Sequence, residues 1–194
     1  MVGNTNTYFR PLIYYLCYNS FMNLLLLSGN SIQNKSWIEE SEAVLKDLFE
    51  KTHIHYYKHW DENNPIIDFA YELNKVAEFA SGFDPYIIFA KSIGTILTVK
   101  GVHDNLLKPP KCIFLGVPIS WGKQNVSASD KWFENYSIPT LFIQQTSDPM
   151  MSFQSLDLYL TERHVKNNIS TEIPGDTHHY SDLKTIKTMV AEFI

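Results

Sequence analysis

The stretch YIIFAKSIGT, Tyr86 to Thr95, decides how the rest of the sequence reads. Its first five residues, YIIFA (86–90), form a short apolar run rich in β-branched and aromatic side chains, as a buried strand requires. Lys91, Ser92 and Ile93 follow, then Gly94 and a run with helical character. Serine is favoured at a helix N-terminus, where its hydroxyl accepts a backbone N–H left unpaired. It is also the residue a sharp strand-to-helix turn can hold out as a nucleophile. Ser92 fits both descriptions, and the surrounding sequence has to separate them.

The bulk of the chain narrows the choice. Its 194 residues suit one domain, residues 1–194, better than two. A hydrophobic content of 44% is enough for a real core. The formal charge of −5 and the absence of a lysine or arginine run argue against nucleic acid as a partner. Cys17 and Cys112 sit in apolar surroundings with no metal or disulfide spacing, which predicts reduced, buried thiols and a cytoplasmic setting. The run PLIYYLCYNSFMNLLLL (11–27) is interrupted by Asn19, Ser20 and Asn23 and preceded only by Arg10. It lacks the length and flanks of a membrane span or a signal peptide and reads as core-forming strand.

Apolar runs and helical patterns alternate from Phe21 onward. Strands are expected over 21–27, 54–57, 86–90, 112–116, 140–145 and 168–173. Helical spacing runs through KSWIEESEAVLKDLFEKT, IIDFAYELNKVAEFA, the segment after Ser92, SFQSLDLYLTERHV and SDLKTIKTMVAEFI. The segment from Pro118 to Ser137 reads as a loop and a short helix. This alternation predicts an α/β fold, a three-layer α/β/α arrangement around a mostly parallel sheet. Of only eight glycines, Gly29, Gly94, Gly116 and Gly175 fall at or just past strand ends. That is where open α/β sheets place their ligand sites.

Three polar residues emerge at the same sheet edge. Ser92 follows YIIFA, Asp148 follows TLFIQQTS and His178 follows NISTEIPGDT, at intervals of 56 and 30 residues. Each therefore has its own loop, in the order Ser, Asp, His. A serine hydroxyl is a poor nucleophile until a histidine takes its proton, and a carboxylate must hold that histidine. Four motifs resemble those of the α/β-hydrolase superfamily over roughly Leu24 to the C-terminus. AKSIG (90–94) resembles the elbow G-x-S-x-G, with alanine for the first glycine. IPTLFIQQTSDPM (138–150) resembles the acid-bearing strand and turn. IPGDTHHY (173–180) resembles the histidine loop, and LLLLSGNS (24–31) the strand and loop of the oxyanion hole. The compact size is similar to that of small lidless members grouped with dienelactone-hydrolase relatives.

The resemblance implies a serine hydrolase without metal or organic cofactor, acting on a small-molecule acyl ester or thioester. Ser92 would be nucleophile, His178 base and Asp148 the orienting acid, with the backbone N–H groups of Ile93 and Asn30 as oxyanion donors. Ser28-Gly29 stands where many relatives have His-Gly, which puts the oxyanion geometry in question. Asp130 competes with Asp148, and Asp176 lies too close to His178 along a tight loop. His179 competes with His178, and the motif alignment favours the latter; His103 reads as surface. HIHYYKH (53–59) places His53 and His55 on one strand face, yet two histidines make an incomplete zinc site and read instead as an exposed strand edge. Lys91 is either a substrate-steering cation or a solvated one. Val117 to Tyr136, with Pro118, Trp121, Trp132, Phe133 and Tyr136, is the candidate partial cover over a shallow pocket for small or medium acyl groups. Two other readings stand beside this one: a hydrolase scaffold that binds without catalysis, and a flavodoxin-like nucleotide binder, which lacks a phosphate-cradling glycine loop.

Overall fold

Six apolar runs pair into one sheet. A computed structural model describes residues 22–62, 67–126, 129 and 131–194. Its strands are β1 (Asn23–Leu27), β2 (Thr52–His55), β3 (Tyr86–Lys91), β4 (Cys112–Leu115), β5 (Thr140–Gln145) and β6 (Asn168–Ile173). They lie in the order β2-β1-β3-β4-β5-β6, and every neighbouring pair is parallel. The helices are α1 (Asn34–Leu45), α2 (Lys58–Asp61), α3 (Phe69–Ala80), α4 (Ile93–His103), α5 (Ile119–Asn125), α6 (Phe153–Glu162) and α7 (Leu183–Phe193).

The chain path explains the layers. From β1 it moves outward to β2, then reverses across β1 to β3 and continues to β6. Parallel crossovers are right-handed, so reversing direction changes the face on which the connecting helix lies. Accordingly α1 packs with α7 over Leu24, Leu26, Ile87, Phe89, Ile113 and Leu115. Helices α3, α4 and α6 cover the alternate residues, among them Leu25, Leu27, Ile88, Ala90 and Phe114. Period-two alternation along each strand thus feeds two separate cores. The reversal falls between β1 and β3, whose following loops diverge, and such a switch point is where open α/β sheets form crevices.

Some boundaries differ from the expectation. Strand β2 ends at His55, two residues earlier than Tyr57, because Tyr57 turns inward, fully buried, and its hydroxyl donates to the Ser28 carbonyl at 2.9 Å. The short helix α2 is too brief to leave a periodic signature. Trp132, Phe133 and Tyr136 join the core under α3 and α6 instead of covering a site: Phe69 stacks on Trp132 and Phe133 meets Tyr159 edge-on. The aromatic-lined pocket expected from that segment loses those three walls. Cys112 is buried, and burial pushes its thiol up to about 12; Cys17, Ile66 and Asp130 lie outside the described residues. Among the described residues, no helix is long and apolar enough to cross a membrane.

Candidate active site

Ser92 lies between β3 and α4 with φ 53° and ψ −123°, and its side chain makes no capping hydrogen bond. A helix cap adopts an ordinary extended backbone and turns its oxygen onto the helix. Ser92 does neither. A positive φ costs a residue with a Cβ of order 1–3 kcal/mol and persists only where its surroundings enforce it. Here the Ser92 N–H donates to the Leu115 carbonyl at 2.9 Å, and Gly94 N–H to the Ser28 carbonyl at 3.1 Å. Gly94 lies so close to β1 that a Cβ there would fall 2.8 Å from the Leu27 carbonyl oxygen. The turn is held from both sides, and its side chain is left half-exposed.

The loops after β5 and β6 bring two partners to it. His178 Nε2 lies 3.0 Å from Ser92 Oγ, and His178 Nδ1 lies 2.9 and 2.8 Å from the two Asp148 oxygens. Asp148 is 3% exposed. The Met150 N–H donates to its Oδ1 at 2.8 Å and the Tyr180 hydroxyl to its Oδ2 at 2.7 Å. Burial opposes the ionised carboxylate, but the His178 hydrogen bond and charge, with Tyr180 and Met150, outweigh it and hold Asp148 below its usual 3.8. An ionised carboxylate only accepts, so Nδ1 of His178 carries the proton and Nε2 accepts from the Ser92 hydroxyl. An imidazole in this tautomer can take a proton from Ser92 when the hydroxyl attacks.

The histidine loop is moulded around β5. Gln145, at the end of that strand, accepts from the N–H groups of Thr177 and His178 and donates to the His179 carbonyl at 2.8 Å. His178 itself takes φ 58°, and its ring sits against Gly116, where a Cβ would lie 2.9 Å from His178 Cε1 and 2.7 Å from Tyr180 Cε2. Gly116 has φ +58°, so both its backbone and its neighbours require glycine. Tyr180 is pinned in turn by the Trp37 indole, which donates to its carbonyl at 2.7 Å. Burial, then the Asp148 charge, pushes the Tyr180 phenol well above its usual value.

The loop after β1 abuts the elbow through the Ser28 carbonyl, which accepts from both Gly94 and Tyr57. The Asn30 carbonyl accepts from His59 and Trp60 of α2 at 2.7 Å each. Ile93 opens α4, and the first N–H groups of a helix have no intrahelical acceptor. Ile93 thus adjoins Ser92 at the start of α4, while Asn30 is held through its carbonyl against α2.

Among the described residues, the competitors His179, Asp176 and His103 make no hydrogen bond to the side chains of Ser92, Asp148 or His178. His179 and Asp176 are exposed, and exposed His103 meets Asp104 at 2.9 Å. His53 and His55 are half-buried, contrary to the expected exposed edge: His53 stacks on Phe79 with centroids 3.6 Å apart, and His55 bonds Glu72 at 2.7 Å. Helix α3 covers that face of the edge strand, which the periodicity of HIHYYKH does not reveal. Among the described residues no group of three His, Cys, Asp or Glu side chains is arranged to hold a metal ion. A groove of about 390 Å³ beside β2 is lined by His53, His55, Lys58, Glu72 and Lys75 among others, elements that supply none of the Ser92, Asp148 or His178 side chains.

Sequence reading does not single out Asn34, Tyr57, Gln145 or Trp37 around the site. The available signal was a pair of glutamines ending an apolar strand, since buried amides require partners: Gln144 also accepts from Val117 N–H and donates to the Met151 carbonyl.

Comparison with solved structures gives the fold its class: the protein has the α/β-hydrolase fold. Est1E from Butyrivibrio proteoclasticus, solved with ferulic acid bound, superposes with a TM-score of 0.69 at 13% identity over 90% of this chain and 88% of its own. The thioesterase RedJ, from the prodiginine biosynthetic pathway in Streptomyces coelicolor, matches with a TM-score of 0.65 at 10% identity over 100% of both chains. A protein assigned as a hydrolase of the α/β superfamily, from Xanthomonas campestris pv. campestris, gives 0.67 at 12% identity over 89% of this chain and 96% of its own. At these identities the shared property is the fold. No protein-family model matches the sequence, and no curated protein matches it.

Proposed function

We propose that the protein is a serine hydrolase that transfers the acyl group of a small or medium ester or thioester to water. The observation that carries this reading is the 3.0 Å approach of His178 Nε2 to Ser92 Oγ, on a serine with positive φ. Est1E and RedJ share the fold, and RedJ is named for thioester cleavage. In this reading Ser92 Oγ attacks the carbonyl carbon while His178 Nε2 takes its proton. Asp148 keeps the ring in its tautomer and stabilises the positive charge that forms. The carbonyl oxygen becomes an oxyanion facing the N–H groups of Ile93 and Asn30, donors worth roughly 2.7–4 kcal/mol each in such sites. Collapse expels the alcohol or thiol, protonated by His178, and leaves Ser92 acylated. Water then attacks the acyl-enzyme with His178 as base, releasing the acid. The sequence of steps needs neither metal nor organic cofactor.

A fluorophosphonate probe reports an activated serine without a guess at the substrate. Wild type is expected to label, and Ser92→Ala and His178→Ala to lose labelling while keeping the wild-type fold. A folded wild type that does not label sinks the hydrolase reading in favour of a binding scaffold. Labelling that survives in Ser92→Ala would show that another serine is the activated one.

A further inference from the structure

We propose that Lys91 is a positioning residue: through Asn34 it fixes the 28–31 loop so that its backbone can serve the oxyanion beside Ser92. The inference rests on the serine-hydrolase reading and adds to it the origin of the loop's shape. Strand alternation puts Lys91 on the same face as Ile87 and Phe89, toward α1. Its side chain is therefore directed inside, not toward a substrate: Lys91 is only 3% exposed. The ammonium lies 5.1 Å from the Trp37 ring centroid and donates to Asn34 Oδ1 at 2.7 Å. Among the described residues it forms no salt bridge. Burial pulls its pKa down to about 8, offset in part by the Asp148 charge, so it still carries its proton at neutral pH.

That one hydrogen bond sets the orientation of the Asn34 amide. With Oδ1 turned to Lys91, the amide nitrogen donates to the Ser31 carbonyl at 3.0 Å. The Asn34 carbonyl accepts from the Ser28 hydroxyl at 3.2 Å, and its N–H donates to Ser31 at 2.9 Å. Gly29 lies against the same amide, so closely that a Cβ would fall 2.8 Å from its nitrogen. The loop is thus wrapped around the Asn34 side chain, while Ser28 and Asn30 are anchored outside by Tyr57, His59 and Trp60. A buried, unpaired ammonium is a costly way to fill a core position. A lysine that instead steered an anionic substrate would need a solvent-facing head, which this one lacks.

The test compares wild type, Lys91→Met and Asn34→Ala in thermal midpoint, fluorophosphonate labelling rate, and kcat and KM on p-nitrophenyl acetate. Removing one oxyanion donor outright costs about 10²–10³ in kcat, so misplacing one is expected to slow labelling and kcat roughly tenfold to a hundredfold. KM should stay within about twofold, and the Lys91→Met midpoint should equal or exceed wild type. A merely structural lysine would give the opposite pairing, an unslowed enzyme whatever the midpoint. Labelling of Lys91→Met at the wild-type rate overturns the proposal, as does a rise confined to KM. If Lys91→Met fails to fold, Asn34→Ala decides, because its half-exposed side chain can be truncated without emptying the core: slow labelling supports the bridge and wild-type labelling overturns it. A folded wild type that does not label defeats the hydrolase reading itself, before any variant is compared.

Discussion

Asp148 and Tyr180 show how much a single hydroxyl does at this site. Four hydrogen bonds converge on the carboxylate, and the shortest comes from the Tyr180 phenol at 2.7 Å. The same oxygen accepts from the Gln145 N–H at 3.2 Å. Tyr180→Phe removes both at once, at an expected cost of about 1.5–3 kcal/mol, the range for hydrogen bonds to charged groups. The sign of the pH effect follows from the direction of the Asp148 shift. Its folded pKa lies below 3.8, so its stabilising contribution is present above that value and lost as pH falls through the lower folded one. Without the phenol the folded value moves back up. Acid titration followed by circular dichroism should therefore show Tyr180→Phe unfolding at higher pH than wild type; equal midpoints would refute the role of the phenol. Of this cluster, Asp148 and His178 are legible from their loops, and Tyr180 only as the last residue of IPGDTHHY (173–180). Its partner Gln145 was not legible, because nothing local in TLFIQQ says which loop its amide will meet.

Contact between α4 and β1 is set by one small residue. A Cβ on Gly94 would lie 2.8 Å from the Leu27 carbonyl oxygen and 2.9 Å from that of Ser28, both backbone atoms. Neither can yield as a flexible side chain would. Gly94→Ala is expected to lose about 1–3 kcal/mol, as overpacked contacts do, and to disturb the Ser28 carbonyl that holds the elbow. Gly82 is the matched comparison: its added Cβ would meet nothing nearer than the Phe79 carbonyl at 4.0 Å. Gly82→Ala should stay within about 0.5 kcal/mol of wild type. Chemical denaturation of the two variants side by side checks the contrast. At this scale, long periodic helices such as α3 and α7 could be read from sequence, since an apolar stripe is a local property. The buried faces of Trp132, Phe133 and Tyr136 could not. Aromatic residues in an irregular segment carry no period that tells core from cover.

Across the whole molecule, burying Lys91 in the α1 layer opposes folding while the proton is bound. The folded pKa of about 8 lies below the ordinary 10.5, so between those values the unfolded chain binds more protons. Stability therefore rises with pH through that window, and the full cost is present below it. That cost is on the order of 3 kcal/mol as an upper figure. Lys91→Met should be more stable than wild type near pH 7, with the difference shrinking toward pH 10.5. Denaturant midpoints across this range measure it, and a constant difference would show that Lys91 is not buried as a cation. Stability given up at a site in return for geometry is what functional constraint predicts.

The sequence by itself determined the alternation of strands and helices, the parallel class of sheet, and the placing of Ser92, Asp148 and His178 after three separate strand ends, those of β3, β5 and β6. Those are consequences of periodicity and order, which each segment carries alone. Tertiary structure decided that Ser92 takes φ 53°, that His178 and not His179 faces it, and that Lys91 turns inward onto Trp37 and Asn34. The reason is the strand order β2-β1-β3-β4-β5-β6. It sets segments far apart in sequence edge to edge, and only then do the loops of β1, β3, β5 and β6 determine one another's backbone and side-chain directions.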